Sequence, residues 1–142
     1  LRQSKGAEYM FPHLRATITD AYRRASIVGP GDLDGIETHD CFTITEYVAI
    51  DHFGITAPGR SFEAIEDGRL EHGGRLPVNA SGGLIGLGHP VGTTGVRMVH
   101  DAVRQVTGSA REMQIEGAKR IATLNIGGSF TTAVSFVVAT ET

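Results

Sequence analysis

Two apolar runs near the end of the chain constrain the fold more than any other sequence feature. Residues 121–126 and 130–139 are rich in β-branched and aromatic side chains, which favour strands. The link between them, Gly127-Gly128-Ser129, is short enough for an antiparallel hairpin. Because both runs are largely apolar, we expect this hairpin to be the most buried pair of strands in the protein.

Helical and extended patterns alternate upstream of this hairpin. Apolar residues recur at helical spacing from Phe11 to Ala25 and again from Val96 to Val106. Between these helices the sequence predicts a strand at 36–42, a helix at 43–53, a short helix at 61–66, a short strand at 76–78 and a glycine-rich loop at 81–95. Thr43 and Glu46 have the spacing of a capping box. The order predicts an α/β fold with a mixed β-sheet flanked by helices.

Composition and charge exclude several classes of protein. With 142 residues and 40% hydrophobic content, the chain can bury one core of moderate size. The net charge is −3 and no run of Lys or Arg exceeds two residues, which argues against nucleic acid or an anionic membrane as a partner. No apolar stretch is long enough to span a bilayer. A single cysteine, Cys41, is typical of a reducing compartment, so we expect a soluble cytoplasmic protein.

Reactive side chains and glycines concentrate in three segments that we expect at strand ends, where α/β folds place their sites. These segments are His39-Asp40-Cys41-Phe42, Gly88-His89-Pro90 and Asn125-Ile126-Gly127-Gly128-Ser129. Cys41 could equally be a small buried hydrophobic residue, and His39 a structural histidine. His89 is harder to explain by packing, because it stands between glycine and proline ahead of a predicted helix N-terminus. An imidazole at such a position could accept a proton from a thiol near neutral pH.

Other interpretations of these residues fit less well. Six glycines fall between residues 81 and 95, yet the dinucleotide fingerprint fails because Val91 stands where its third glycine is needed. A phosphate-binding loop is not predicted either, because no lysine follows Gly92. A metal site built from His39, Asp40, Cys41 and His89 matches no known ligand spacing, so we expect no metal. The other four histidines are expected to be solvated: His13, His52, His72 and His100.

Four motifs, taken in order, resemble the C-terminal domain of thiolases of the sterol-carrier-protein type. They are His-Asp-Cys-Phe at 39–42, Pro-Val-Asn-x-Ser-Gly-Gly at 77–83, Gly-His-Pro-x-Gly-x-Thr-Gly at 88–95 and Asn-x-Gly-Gly at 125–128. Thiolases consist of two similar halves, each a mixed sheet flanked by helices, and usually dimerise. The resemblance implies that residues 1–142 form the second half alone, since the nucleophilic cysteine of the family belongs to the first half and has no counterpart here.

The same resemblance implies a role for each candidate residue. His89 would be the base that activates the missing thiol and then helps to hold a thioester oxygen. Cys41 would be the second acid/base, acting at the substrate α-carbon. His39 falls where other thiolases carry an asparagine that anchors an oxyanion-hole water, so it would stabilise an oxyanion together with His89. The family's late Cys-x-Gly-x-Gly motif has Asn125 in place of its cysteine, and Gly127 would contribute its backbone amide to a second oxyanion hole.

The function implied is that of an acyl-CoA acyltransferase catalysing Claisen condensation or thiolysis. A coenzyme A thioester would be the substrate, with no covalently bound cofactor, no metal, the N-terminal thiolase half as partner and a homodimer as the full enzyme. Two alternatives stay open: a thiolase-fold carbon–carbon lyase of the aldolase type acting on steroid-like thioesters, and a non-catalytic domain for dimerisation or partner binding. This half is expected to be inactive by itself.

Overall fold

A computed structural model describes residues 6–140 of the chain as five α-helices around a three-stranded sheet. The strands are β1 (Gly35–Thr38), β2 (Arg120–Gly127) and β3 (Thr132–Ala139). The helices are α1 (Pro12–Arg24), α2 (Thr43–His52), α3 (Ser61–Glu66), α4 (Gly83–Leu87) and α5 (Thr94–Val106). Two single turns of 3₁₀ helix occupy Pro30–Asp32 and Arg111–Met113. Among the described residues, no helix combines the length and apolar character needed to cross a membrane.

The sheet is mixed and has β2 at its centre. β1 pairs with β2 in parallel, from Gly35 opposite Ile121 to Thr38 opposite Leu124. β3 pairs with β2 in antiparallel, from Arg120 opposite Ala139 to Gly127 opposite Thr132. This topology confirms the predicted mixed sheet and its closing hairpin.

Alternation along β2 divides the core into two layers. Ala122, Leu124 and Ile126 belong to the main apolar cluster, which they share with residues of α1 and α2. Ile121 faces the other way and packs with Ala102 of α5. Because side chains alternate with a period of two, residues 123 and 125 also lie on the α5 face of the sheet. The parallel register puts residues 37 and 39 on that same face.

Three predicted elements differ from the observed ones. β1 ends at Thr38 rather than at residue 42, because Asp40 turns to bond the glycine-rich segment instead of continuing the sheet. Residues 76–78 form no strand but only an isolated bridge between Val78 and Ile36. The glycine-rich stretch contains the short helix α4 where a loop was expected.

The expected capping box and the expected burial of the hairpin are also wrong. Thr43 is the first residue of α2, and it is Thr45 whose hydroxyl bonds the backbone of Phe42. Glu46 instead accepts a hydrogen bond from Asn79 at 3.0 Å. β2 is buried as predicted, but β3 lies at the sheet edge and Phe136 is 51% exposed. The other edge strand, β1, is buried along its whole length, so the exposure of β3 reflects how little of the described chain packs over it.

His52 is buried rather than solvated, whereas His13, His72 and His100 are exposed as expected. The Nδ1 of His52 lies 2.7 Å from the carbonyl oxygen of Val48 and 2.5 Å from Oδ1 of Asp51. Its Nε2 accepts a hydrogen bond from the backbone N–H of Phe11 at 3.1 Å. His52 therefore joins the end of α2 to the segment that leads into α1.

Replacing His52 with alanine should lower the free energy of unfolding by about 3 kcal/mol, because it leaves a cavity and removes the acceptor of the partly buried N–H of Phe11. Urea unfolding followed by circular dichroism measures this change. The exposed His72 supplies a matched control, since His72→Ala should stay within about 0.5 kcal/mol of the parent. Equal effects of the two substitutions would contradict the anchoring role of His52.

Candidate active site

The four residues predicted to form a site line one pocket. His39, Cys41, His89 and Gly127 border an open cavity of about 560 Å³ at the carboxyl ends of β1 and β2. Apolar side chains supply much of the remaining wall, among them Phe42, Ile44, Val91, Ile126, Phe130 and Val134. Reactive polar groups in an apolar concave setting are typical of a binding site for an organic substrate.

His39 is held in place by the pairing of β1 with β2. Its backbone N–H donates to the carbonyl oxygen of Leu124 at 2.9 Å, which extends the parallel register by one residue. Its side chain therefore lies beside Asn125, and Nδ1 is 3.0 Å from Oδ1 of that residue. Burial lowers the pKa of His39, although the hydrogen bond to Asn125 acts in the opposite direction. The neutral imidazole is therefore favoured.

His89 approaches His39 from the glycine-rich segment. The two imidazole rings meet edge to face, with centroids 5.0 Å apart and planes at 89°. Nδ1 of His89 lies 2.8 Å from the hydroxyl of Thr94, the fully buried first residue of α5. Gly88 has φ of 110°, a conformation that glycine adopts without strain. Each imidazole is thus held through Nδ1, and no described residue bonds either Nε2.

Two charged side chains fix the segment that carries His89. Asp40 accepts hydrogen bonds from the backbone N–H groups of Leu84 at 2.5 Å and Ile85 at 3.4 Å, in the first turn of α4. Arg97 donates to the carbonyl oxygen of Gly83 at 2.9 Å and to that of Gly88 at 3.0 Å. Asp40 and Arg97 therefore hold both ends of α4.

Cys41 and Gly127 complete the pocket in different ways. Cys41 is half-buried and borders the cavity, so it is not the buried packing residue of the alternative interpretation. Gly127 ends β2, and a Cβ added there would only reach ordinary contact with Thr132 at 3.9 Å. Packing among the described residues therefore does not require glycine at 127.

Sequence reasoning missed the residues that position this site. Asp40 was considered only as a metal ligand, and Thr94, Arg97 and Asn125 were given no structural role. Asn125 becomes visible only when the strand register is known, because that register brings it beside His39. Within residues 6–140, no group of three or more His, Cys, Asp or Glu side chains could hold a metal ion.

Glu37 is a buried carboxyl group beneath the site, on the same sheet face as His39. It accepts hydrogen bonds from the hydroxyl of Ser81 at 2.6 Å and from its backbone N–H at 3.1 Å. Burial raises the pKa of Glu37 to about 7, and the bonds from Ser81 only partly oppose this. The folded protein therefore binds a proton at Glu37 that the unfolded chain releases.

The comparisons with known proteins identify the family. A family model described as "Thiolase C-terminal domain-like" matches residues 3–140. The chain belongs to this family. An acetyl-CoA acetyltransferase from Methanothermobacter thermautotrophicus is 42% identical over 114 residues, which cover 80% of this chain and 30% of that protein. The sterol carrier protein 2 of Gallus gallus is 37% identical over 98 residues, covering 69% of this chain and 18% of that protein.

A solved structure shares this fold. The Ltp2-ChsH2(DUF35) aldolase superposes with a TM-score of 0.80 and 26% identity, covering 91% of this chain and 32% of that chain. The thiolase-type domain therefore spans at most about a third of the relatives that it matches. The family predicted from four sequence motifs is confirmed, and the roles of His39, Cys41, His89 and Gly127 stay predictions.

Gly83, the first residue of α4, is a position that requires glycine. Its φ is 59°, and a Cβ there would lie 2.3 Å from Oδ2 of Asp40. Gly83→Ala should lower the free energy of unfolding by about 2 kcal/mol or more, because it strains the backbone and displaces the carboxylate. Gly86→Ala is the control, since nothing lies within 4 Å of its Cβ position in the same helix. Urea unfolding showing equal losses for both variants would contradict the close approach of Asp40.

Glu37→Gln should stabilise the protein at high pH but not at low pH. Glutamine mimics the protonated carboxyl group, so the variant avoids the loss of stability that the parent suffers as pH rises from about 4.5 towards 7. We expect a gain of up to about 3 kcal/mol at about pH 8 and almost none at about pH 4. Urea unfolding at both pH values tests this, with Glu116→Gln as the exposed control. A gain that is independent of pH would show that burial does not shift the titration of Glu37.

Proposed function

We propose that this chain is the C-terminal half of an acyl-CoA acyltransferase and supplies acid/base and oxyanion-stabilising groups for Claisen condensation or thiolysis. The observation that carries this proposal is the convergence of His39, Cys41, His89 and Gly127 on one pocket. The identity to an acetyl-CoA acetyltransferase supports it. Coenzyme A thioesters are the proposed substrates, and the nucleophilic thiol belongs to the preceding half of the full-length enzyme.

His89 is proposed as the base for acylation. Its Nδ1 lies 2.8 Å from the hydroxyl of Thr94, which itself lies 3.4 Å from the carbonyl oxygen of Pro90 and can donate to it. A hydroxyl that donates to Pro90 accepts from Nδ1–H, so Nε2 keeps the lone pair that takes the thiol proton. The thiolate then attacks the thioester carbon, and the coenzyme A thiolate leaves. The resulting imidazolium can donate to the oxyanion of the tetrahedral intermediate.

Cys41 is proposed as the acid/base for the carbon–carbon bond. In condensation its thiolate takes a proton from the α-carbon of the second thioester. The enolate formed attacks the acyl carbon of the acyl-enzyme, whose carbon–sulfur bond breaks to release the nucleophilic thiolate. In thiolysis the Cys41 thiol returns that proton to the departing enolate. The backbone amide of Gly127 would stabilise the enolate oxygen, and the lack of a packing reason for glycine at 127 supports this role.

An exposed apolar surface supports a second half as partner. Val96 is 72% exposed on α5, and Phe136 is 51% exposed on β3. Both line a second, mostly apolar cavity of about 530 Å³ next to the site. Exposed apolar patches of this kind mark interaction surfaces. We propose that the nucleophile-bearing half covers this surface and that the full enzyme is a homodimer.

A carbon–carbon lyase of the aldolase type is the second candidate. The structural match to the Ltp2-ChsH2(DUF35) aldolase favours it. Retro-aldol cleavage needs no acyl group on the enzyme, whereas acyl transfer requires one. The half-buried Cys41, which lines the same pocket as His89, favours the acyltransferase.

Incubating the full-length protein with acetyl-CoA distinguishes the two candidate functions. We expect an acyl-enzyme by mass spectrometry, formed at least about 100-fold more slowly in His89→Ala because the thiol loses its base. Cys41→Ala should acylate normally and lose carbon–carbon bond formation by a similar factor, since it lacks only the second proton transfer. His72→Ala, an exposed histidine, should change neither step.

Each alternative gives a different result in the same assay. An unchanged acylation rate in His89→Ala would refute the role of His89. No acyl-enzyme in the parent, together with cleavage of a 3-hydroxyacyl thioester, would establish the lyase instead. No covalent adduct and no cleavage would favour the non-catalytic domain.

A further inference from the structure

We propose that Asn125 sets the tautomer of His39, keeping its proton on Nδ1 so that Nε2 serves as a hydrogen-bond acceptor for a water molecule. Asn125 is then a positioning residue that acts through His39. The catalytic consequence rests on the acyltransferase function proposed above. The tautomer itself does not, because it follows from the geometry of the two side chains.

The hydrogen bond between His39 and Asn125 has a direction that bears on the tautomer. Oδ1 of Asn125 lies 3.0 Å from Nδ1 of His39. With the amide in this orientation, its oxygen accepts the hydrogen bond and Nδ1 carries the proton, because an amide oxygen cannot donate. A neutral imidazole has one N–H, which leaves Nε2 with a lone pair. No described residue bonds that atom, and the His39 side chain borders the pocket.

The side-chain amide of Asn125 lies between the paired strands on one side and α5 on the other. The register of β1 with β2 fixes the residue pair, because Thr38 lies opposite Leu124 and the backbone of His39 bonds Leu124. On the other side α5 approaches closely, since a Cβ added to Gly95 would lie 2.7 Å from Nδ2 of Asn125. A side chain at residue 95 would displace the amide. Glycine at the start of α5 therefore leaves room for Asn125 beside His39.

An unprotonated Nε2 of His39 can act only as a hydrogen-bond acceptor. It cannot donate a hydrogen bond to an oxyanion, but it can accept one from water, whose second O–H then points to the negative oxygen. His89 lies edge-on to His39, with ring centroids 5.0 Å apart. His89 would thus contribute a direct donor and His39 a water-mediated donor to the same oxyanion. This explains how a histidine can stand where other thiolases use an asparagine to anchor that water.

The tautomer is testable by NMR, independently of activity. Full-length protein with ¹⁵N-labelled histidine imidazoles gives long-range nitrogen–proton correlations that identify which ring nitrogen carries the proton. His39→Gln assigns the resonance by its disappearance. We expect a proton on Nδ1 and none on Nε2 of His39 at neutral pH. A proton on Nε2 in the parent protein would overturn the proposal.

Two variants of similar size then test whether Asn125 is the cause. Asn125→Leu removes the acceptor, so the proton should move to Nε2 and acylation should slow about 100-fold, as expected for the loss of one oxyanion donor. Asn125→Asp keeps an acceptor and should retain the proton on Nδ1. If Asn125→Leu leaves the tautomer unchanged, or Asn125→Asp loses the Nδ1 proton, Asn125 does not set the tautomer. A proton that moves to Nε2 with no change in the acylation rate refutes only the catalytic consequence. A parent that forms no acyl-enzyme contradicts the proposed function alone, because the NMR result still decides the tautomer.

Discussion

The parallel pairing of β1 with β2 is the interaction on which the site depends. Four residue pairs fix the register, and the backbone bond from His39 to Leu124 carries it one step further. Period-two alternation then gives Glu37 and His39 the same sheet face as Thr123 and Asn125. A shift of one residue in this pairing would turn His39 towards α1 and α2, into the apolar layer. The chemistry of the pocket is therefore set by hydrogen bonds of the main chain.

The glycine-rich segment depends in turn on two charges outside it. Asp40 holds the first turn of α4 through backbone N–H groups, where a negative charge is favoured by the exposed amides. Arg97 holds the carbonyl oxygens of Gly83 and Gly88 from α5. Six glycines in fifteen residues cost conformational entropy on ordering. These charge-assisted bonds offset part of that cost and keep His89 against His39.

Sequence patterns predicted the elements that neighbouring residues determine. They failed where the structure depends on a residue distant in the sequence. Helices α1, α3 and α5 and the closing hairpin followed from periodicity and turn chemistry. The candidate residues His39, Cys41, His89 and Gly127 were named because each lies in a contiguous motif; they line one pocket, and their roles stay predictions. α4 was missed because its glycines favour a loop, while the Asp40 carboxylate that stabilises it lies more than forty residues earlier. His52 was expected in solvent because its partner, the N–H of Phe11, is equally remote. β3 was expected to be buried from its composition, but coverage depends on what packs against the sheet edge.

The geometry also supports the proposal that the acid/base thiol lies at residue 41 here, although the late motif of the family carries a cysteine at the position of residue 125. Residue 125 lies two residues before the end of β2, and residue 41 follows the end of the neighbouring parallel strand, so both border the same pocket. A thiol at either position can reach a substrate bound there without any change in the sheet. If Cys41 carries out the proton transfer proposed above, residue 125 is free to carry an amide beside His39. The pairing of β1 with β2 brings both strand ends to one pocket. A thiol at either end could therefore carry out the proposed proton transfer, since that chemistry requires a thiol in the pocket rather than on one particular strand.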